Sequence, residues 1–95
     1  MTEFEAATAM TLLVNAMVCA LVDEQEAVDV TGHLREGCVV VDVKVAPGDV
    51  GKVIGKQGRT ARSLRTILAA AAMKSKVRCE INIQEYGRDE RTDAA

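Results

Sequence analysis

The alternation of side chains from Cys38 to Val45 constrains the fold of this chain more than any other feature. Every second position in it is valine, which predicts a strand with one apolar face. The same period of two recurs near the end of the sequence, at Val77, Cys79, Ile81 and Ile83. A third strand is predicted from Ala27 to Leu34, paired antiparallel with the valine strand through a short turn at residues 35–37. A sheet that is apolar on one face requires helices to cover that face.

Three segments have the pattern of helices. Residues 4–23 carry an apolar stripe at helical spacing, formed by Ala6, Met10, Leu13, Val14, Met17 and Leu21. One or two helical turns fit between Pro47 and Gly55, with Asp49 as a candidate N-cap. A long helix is predicted after Gly58, with one apolar side formed by Ala61, Leu64, Leu68, Ala71 and Ala72.

The element order α-β-β-α-α-β predicts an α+β fold, in which helices pack on one face of a three-stranded sheet. We expect a single domain over residues 1–86, with its core at about residues 6–85. Residues 87–95 are predicted to form a polar, flexible tail. The chain is 48% apolar, but only Phe4 and Tyr86 are aromatic, so a core of small aliphatic side chains is expected, and self-association would supplement its stability.

The cysteines and the N-terminus exclude several classes of protein. Cys19, Cys38 and Cys79 are widely separated and form no C-x-x-C pair, which argues against a disulfide framework and against a zinc site. Glu3 and Glu5 occupy positions where a signal peptide carries basic residues. Charged residues are expected to interrupt the apolar stretches short of a membrane span. We therefore expect a cytoplasmic protein that contacts no membrane and has no metal, cofactor or small-molecule substrate.

The net charge of −2 conceals a strongly uneven distribution. Residues 1–43 contain eight acids and one base, whereas residues 44–78 contain nine bases and one acid, Asp49. Such a block is expected where one face of a protein meets a polyanion. The alternative, a solvated helix face of mixed sign, is weakened because few acids lie near these bases in the sequence.

The loop Gly55-Lys56-Gln57-Gly58 lies in the basic block, between the two predicted helices. Glycine permits a sharp bend and removes the Cβ that would obstruct a sugar-phosphate. The N–H groups at the start of the following helix would point to the same place. Four basic residues lie in and around this loop: Lys52, Lys56, Arg59 and Arg62. They are predicted to attract the phosphates of a nucleic acid without recognising its nucleobases.

Two other phosphate-binding motifs fail on spacing. A Walker A loop needs four residues between its first glycine and Gly-Lys, but only three separate Gly51 from Gly55, and Gln57 rather than Ser or Thr follows Lys56. A dinucleotide fingerprint would need a glycine where this chain has Val53. The alternative is a purely structural role, in which Gly55 and Gly58 only connect two helices. The basic surroundings of the loop favour a binding role.

The string Val53-Ile54-Gly55-Lys56-Gln57-Gly58-Arg59 resembles the signature of KH domains, in which a GXXG loop clamps a nucleotide backbone. The longer string from Pro47 through Ile67 is similar to the stand-alone bacterial family called KhpA. This resemblance implies the type II KH fold over about residues 6–85 and binding of single-stranded RNA. It also implies a non-enzymatic post-transcriptional regulator or RNA chaperone, linked to cell elongation, division and shape.

The resemblance assigns Gly55, Lys56, Gln57 and Gly58 to the backbone clamp. It implies a narrow apolar groove for about four nucleobases, with walls formed by Val53, Ile54, Ala61 and Leu64. The alternative role for these four residues is packing in the core, and we expect Leu64 to serve mainly that role. Many KH domains have a larger aliphatic residue in place of Ala61, so poor discrimination between bases is expected. The implied partners are a second copy of the chain and a larger KH protein of the KhpB type, also called Jag or EloR.

Two alternatives carry different predictions. A protein-interaction adaptor would dock its basic helix on an acidic partner and bind RNA negligibly even at low salt. An enzyme is disfavoured, because His33 is the only histidine and the sequence suggests no carboxylate or thiol partner for it.

Overall fold

The computed structural model describes residues 2–85 and has the predicted α-β-β-α-α-β order. The helices are α1 (Glu3–Leu21), α2 (Val50–Ile54) and α3 (Arg59–Ser75), and the strands are β1 (Asp29–Arg35), β2 (Cys38–Val45) and β3 (Arg78–Glu85). Short 3₁₀ turns occupy Gln25–Ala27, Pro47–Asp49 and Lys56–Gly58. The predicted α+β fold is confirmed. The predicted domain end at residue 86 and the tail at 87–95 lie outside the described residues.

The sheet has the order β1-β2-β3 and is mixed. β1 and β2 are antiparallel through the turn at Glu36 and Gly37, both of which have positive φ, as tight hairpins require. β2 and β3 are parallel, so the chain must cross over the sheet between them, and α2, the loop and α3 form that crossover. The prediction for the first strand was wrong at its start, because Gln25–Ala27 form a 3₁₀ turn and β1 begins only at Asp29.

All three helices lie on the sheet face that carries alternate valines of β2. Leu64, Leu68 and Ala72 of α3 are buried against this face, together with Val39, Val41, Val43 and Val45. Among the described residues no helix covers the opposite face, where most of the alternating side chains are polar or charged. The predicted single apolar face is therefore confirmed, and β1 and β3 each keep one unpaired edge within the described residues.

Helix α1 packs across β1 and β2. Thr2 and Glu5 form a reciprocal capping box at its start: the Thr2 N–H donates to Glu5 Oε1 at 2.8 Å, and the Glu5 N–H donates to Thr2 Oγ1 at 3.0 Å. No charged residue occurs from Ala6 to Val22, so the expectation that charge interrupts every apolar stretch was wrong. By length and composition alone, with a mean hydropathy of 1.6, α1 could cross a membrane. It also supplies five core residues, and a core helix of a globular domain can have the same length and apolar composition.

Candidate nucleic-acid interface

The loop between α2 and α3 reverses the chain within a few residues by adopting left-handed backbone conformations. Gly55 has φ 79° and ψ 168°, Gln57 has φ 57° and ψ 26°, and Gly58 has φ 72° and ψ 14°. Two backbone hydrogen bonds fix the turn, from Gly55 N–H to the Gly51 carbonyl at 2.8 Å and from Gly58 N–H to the Gly55 carbonyl at 3.0 Å. The glycines thus stand where the backbone needs φ values that other residues rarely adopt.

The two glycines have different surroundings. A Cβ on Gly55 would overlap the Thr60 side chain and approach the Thr60 backbone nitrogen to 2.8 Å, so the fold itself requires glycine there. A Cβ on Gly58 would meet no heavy atom within 4 Å. The space beside Gly58 is therefore open, and its backbone is accessible to a molecule outside the domain.

The cations in the loop and at the start of α3 are exposed. Lys56, Arg59 and Arg62 form no ion pair with any acid of residues 2–85. Arg59 Nη2 donates a hydrogen bond to Gln57 Oε1 at 3.2 Å, which links the loop tip to the helix. The N-cap residue of α3 is Gly58, which has no side chain to cap the first N–H groups of the helix. Uncompensated positive charge is thus concentrated beside an open backbone.

Lys52 differs from the other predicted contacts, because two carboxylates hold its ammonium group. Its Nζ lies 3.2 Å from Asp49 Oδ1 and 3.3 Å from Asp23 Oδ2. Lys52 was predicted to be a phosphate contact, and this cluster of charges was not predicted from the sequence. Hydrogen bonding with Asp49, and then with Asp23, raises the pKa of Lys52.

Asp49 is the N-cap residue of α2, as predicted, but its side chain forms no capping hydrogen bond with that helix. Its buried carboxylate instead accepts hydrogen bonds from the backbone N–H groups of Glu24 at 3.0 Å and Asp23 at 3.3 Å. These bonds, the one from Glu24 foremost, lower the pKa of Asp49 although burial acts in the opposite direction. Asp49 thereby ties the segment after α1 to the start of α2, which leads into the loop.

The four apolar residues proposed to wall a groove are buried to different degrees. Val53, Ala61 and Leu64 are at most 5% exposed, and Val53 and Leu64 belong to the main core cluster. Ile54 is half-buried next to Gly55. Of these residues, Ile54 therefore has the most surface available for an incoming base.

Outside the loop, the described residues contain few groups suited to chemistry. His33 is exposed, and its Nδ1 lies 3.9 Å from Asp42 Oδ2 on the neighbouring strand, a partner that the sequence analysis missed. The three cysteines are free thiols, and burial raises the pKa of both Cys38 and Cys79, which makes them less reactive at neutral pH. No cluster of His, Cys, Asp and Glu within residues 2–85 could hold a metal ion.

Comparison with known proteins gives a consistent result. A family model described as the KH domain of KhpA/KhpB matches residues 11–83. A protein of Caldanaerobacter subterraneus named "RNA-binding protein KhpA" is 46% identical over 71 residues, which cover 75% of this chain and 95% of that protein. A protein with the same name from Aquifex aeolicus is 49% identical over 68% of this chain and 82% of its own length. Another from Treponema pallidum is 50% identical over 67% of this chain and 80% of its own length.

Proposed function

This chain belongs to the KhpA/KhpB family of KH domains, and from that premise we propose that it binds single-stranded RNA through loop 55–58 and the first turns of α3. The relatives are named as RNA-binding proteins. The family consists of RNA-binding KH proteins and is not enzymatic, in agreement with the expectation that the chain is not an enzyme. RNA binding, rather than catalysis, is therefore the activity to explain.

The observation that carries this proposal is the combination of an open backbone with unpaired cations. An RNA phosphate needs close access to N–H groups and positive charge. Loop 55–58 and the start of α3 offer both, since the surroundings of Gly58 are open and no acid of residues 2–85 forms an ion pair with Lys56 or Arg59. Because Asp49 and Asp23 already compensate Lys52, we expect Lys52 to contribute less than Lys56, Arg59 and Arg62.

The apolar surface beside the loop supports contact with bases but little discrimination between them. Ile54 is half-buried, whereas the small side chain of Ala61 is buried and leaves little to press against a base. No aromatic residue occurs between Phe4 and Tyr86, so residues 5–85 offer no ring for bases to stack on. We expect low sequence specificity and affinity that depends strongly on salt, because phosphate contacts dominate.

The wider biological role extends this proposal. Binding of many RNAs with low specificity suits a cytoplasmic post-transcriptional regulator or RNA chaperone, with effects on cell shape. Homodimers, and heterodimers with a larger KH protein of the KhpB type, would place two clamps on one RNA and raise the overall affinity without new contacts.

The direct test replaces Lys56 and Gln57 together with Asp. We expect binding of a short single-stranded RNA, measured by fluorescence anisotropy, to be abolished while the far-UV circular dichroism spectrum stays unchanged. A matched control, Ala70→Asp with Lys74→Asp, makes the same charge change on exposed residues near the other end of α3, about 20 Å from the loop. A folded loop variant that binds RNA like wild type would refute the clamp.

A salt series on the wild type separates this function from that of an adaptor. RNA binding should strengthen steeply as salt is lowered. Negligible binding even at low salt would favour the adaptor, which uses the basic helix to dock on an acidic protein.

A further inference from the structure

An apolar cleft lies at the end of the domain opposite loop 55–58, where α3 ends and the chain turns into β3. Its volume is about 490 Å³, within the range of pockets that hold small organic groups. Helix α3 contributes Ala69, Ala72 and Met73 to its lining, and the connection to β3 contributes Val77. The loop and this cleft thus lie at the two ends of the same helix.

Met73 makes the apolar lining of this cleft continuous with the surface. It is 77% exposed, more than any other large apolar residue among residues 2–85. Its thioether side chain is flexible and polarisable, which suits contact with partners of varied shape. Ala69 and Ala70 beside it are small and exposed, so another molecule can approach the helix closely there. An exposed apolar surface that leads into a cleft is typical of a binding site.

Three basic residues accompany the cleft. Arg78 lines it, and Lys74 and Lys76 are sequence neighbours of lining residues. All three are exposed, and none forms an ion pair with an acid of residues 2–85. Lys74 lies in the last turn of α3, where a cation also interacts favourably with the helix dipole. That role does not explain Arg78, which belongs to β3, so the positive charge points to an anionic ligand.

The exposed side of α3 connects this cleft to the loop. Exposed residues follow one another along it at helical spacing: Arg59, Arg62, Thr66, Ala70 and Lys74. From the first to the last of them the helix rises about 22 Å. Residues 50–79 contain no acid, so no carboxylate of α3 opposes a polyanion that continues from the loop along this side. The two ends of α3 are therefore suited to one extended ligand.

The chemistry of the cleft indicates which part of an RNA it takes. Glu80 is the one acid in its lining, and Glu80 Oε2 accepts a hydrogen bond from the Cys38 thiol at 3.5 Å. A carboxylate repels a phosphate but accepts hydrogen bonds from the amino groups of nucleobases. The apolar lining suits the face of a base. A base therefore fits inside the cleft, and phosphates fit outside it, near the cations.

We propose that this cleft is a second RNA subsite, in which a nucleobase lies against Met73 while Lys74 and Arg78 contact the flanking phosphates. The proposal rests on RNA binding at loop 55–58 and adds that a longer RNA follows α3 to its other end. A KH clamp holds about four nucleotides, so an RNA of that length occupies the loop alone. An acidic protein segment is the competing occupant of this surface, and RNA of increasing length distinguishes the two.

The test compares the salt dependence of binding, by fluorescence anisotropy, for single-stranded RNAs of about four and about twelve nucleotides. With the wild type, the slope of log affinity against log salt should be steeper for the longer RNA by about 1.4, the value for two further phosphate contacts. The slope is the diagnostic quantity, because a longer RNA also gains affinity from its additional registers on the loop. Lys74→Gln with Arg78→Gln should remove the extra slope and leave binding of the shorter RNA nearly unchanged.

Matched variants separate the subsite from general charge effects. Arg35→Gln with Lys44→Gln removes the same charge from β1 and β2 and should retain the extra slope. Met73→Asp should weaken binding of the longer RNA by about tenfold or more, because it places a like charge beside the RNA. Leu12→Asp, at an exposed apolar position on α1, should have little effect. Far-UV circular dichroism should show that all four variants are folded.

The other outcomes count against the proposal in distinguishable ways. Equal slopes for the two RNAs with the wild type would overturn the subsite and leave the loop as the binding site. The same holds for an extra slope that survives Lys74→Gln with Arg78→Gln, or that the control on β1 and β2 loses equally. Equal slopes, together with binding of poly-glutamate that depends on Lys74 and Arg78, would assign this surface to an acidic protein. Failure of both RNAs to bind at low salt would refute the proposed function, and the subsite with it.

Discussion

Replacement of each loop glycine by alanine should separate stability from RNA binding. Gly55→Ala puts a residue with a Cβ into a conformation (φ 79°, ψ 168°) that is essentially restricted to glycine, at a cost of about 1–3 kcal/mol. The new Cβ would also lie 2.6 Å from Thr60 Cβ and 2.8 Å from the Thr60 backbone nitrogen. The first turn of α3 must shift to relieve this overlap. We expect a total loss of about 3 kcal/mol or more, a large part of a small domain's stability.

Gly58→Ala should behave differently. Its left-handed conformation costs a residue with a Cβ about 1–2 kcal/mol, and there is no overlap to add, so the domain stays folded. The added methyl group occupies the open space that we assign to the RNA backbone. We therefore expect at least a tenfold loss of RNA affinity, about 1.4 kcal/mol.

The assays for this pair are urea unfolding followed by far-UV circular dichroism, since the chain has no tryptophan, and fluorescence anisotropy with a labelled oligonucleotide. Gly51→Ala is the matched control, because Gly51 lies in α2, has no positive φ, and has no atom within 4 Å of an added Cβ. The control should be as stable as wild type, or more stable by about 0.5–1 kcal/mol. A Gly55→Ala variant as stable as wild type, or a Gly58→Ala variant with wild-type RNA affinity, would show that the two glycines do not have these separate roles.

Two further predictions concern the Asp23–Lys52–Asp49 cluster. Lys52→Met should leave the dependence of RNA affinity on salt nearly unchanged, because Asp23 and Asp49 already compensate Lys52. Arg59→Met should reduce the slope of log affinity against log salt by about 0.7, the value for one phosphate contact on a single strand. Equal slopes for both variants would contradict the different roles of the two cations. Because the pKa of Asp49 is lowered in the folded state, its contribution to stability is present above the unfolded pKa of about 4 and is lost as pH falls below it. The stability difference between wild type and Asp49→Asn, from urea unfolding at a series of pH values, should therefore shrink in acid, and a constant difference would count against this assignment.

Sequence reasoning succeeded where the pattern is local. The alternation in β2 and β3 and the helical stripe of α3 depend on neighbours along the chain, so strand positions and buried faces could be read from them. The glycine spacing likewise located the loop between two helices. At α1 the predicted stripe was only partly right, because Val18 is fully buried while Leu13, Met17 and Leu21 remain half-buried at its margin.

Contacts between distant segments could not be read in this way. Asp49 accepts hydrogen bonds from residues 25 and 26 positions earlier, and Lys52 is held by Asp23, which lies 29 positions earlier. Asp42 approaches His33 only because β1 and β2 are paired in a specific register. No local periodicity encodes these pairs, since they depend on how the elements pack. An apolar cleft between α1 and β1, lined by Phe4, Leu12 and Leu34 among others, was not predicted for the same reason, as the two elements form it only together.

RNA that lies against loop 55–58 and the start of α3, as we claim, can be located by an NMR titration. Short single-stranded RNA is added to ¹⁵N-labelled protein, and the backbone amide signals are followed residue by residue. We predict the largest shifts at Gly55, Lys56, Gln57, Gly58 and Arg59, with little change in β1. Shifts concentrated on β1 or on the helix-free face of the sheet, with the loop signals unmoved, would contradict the claim.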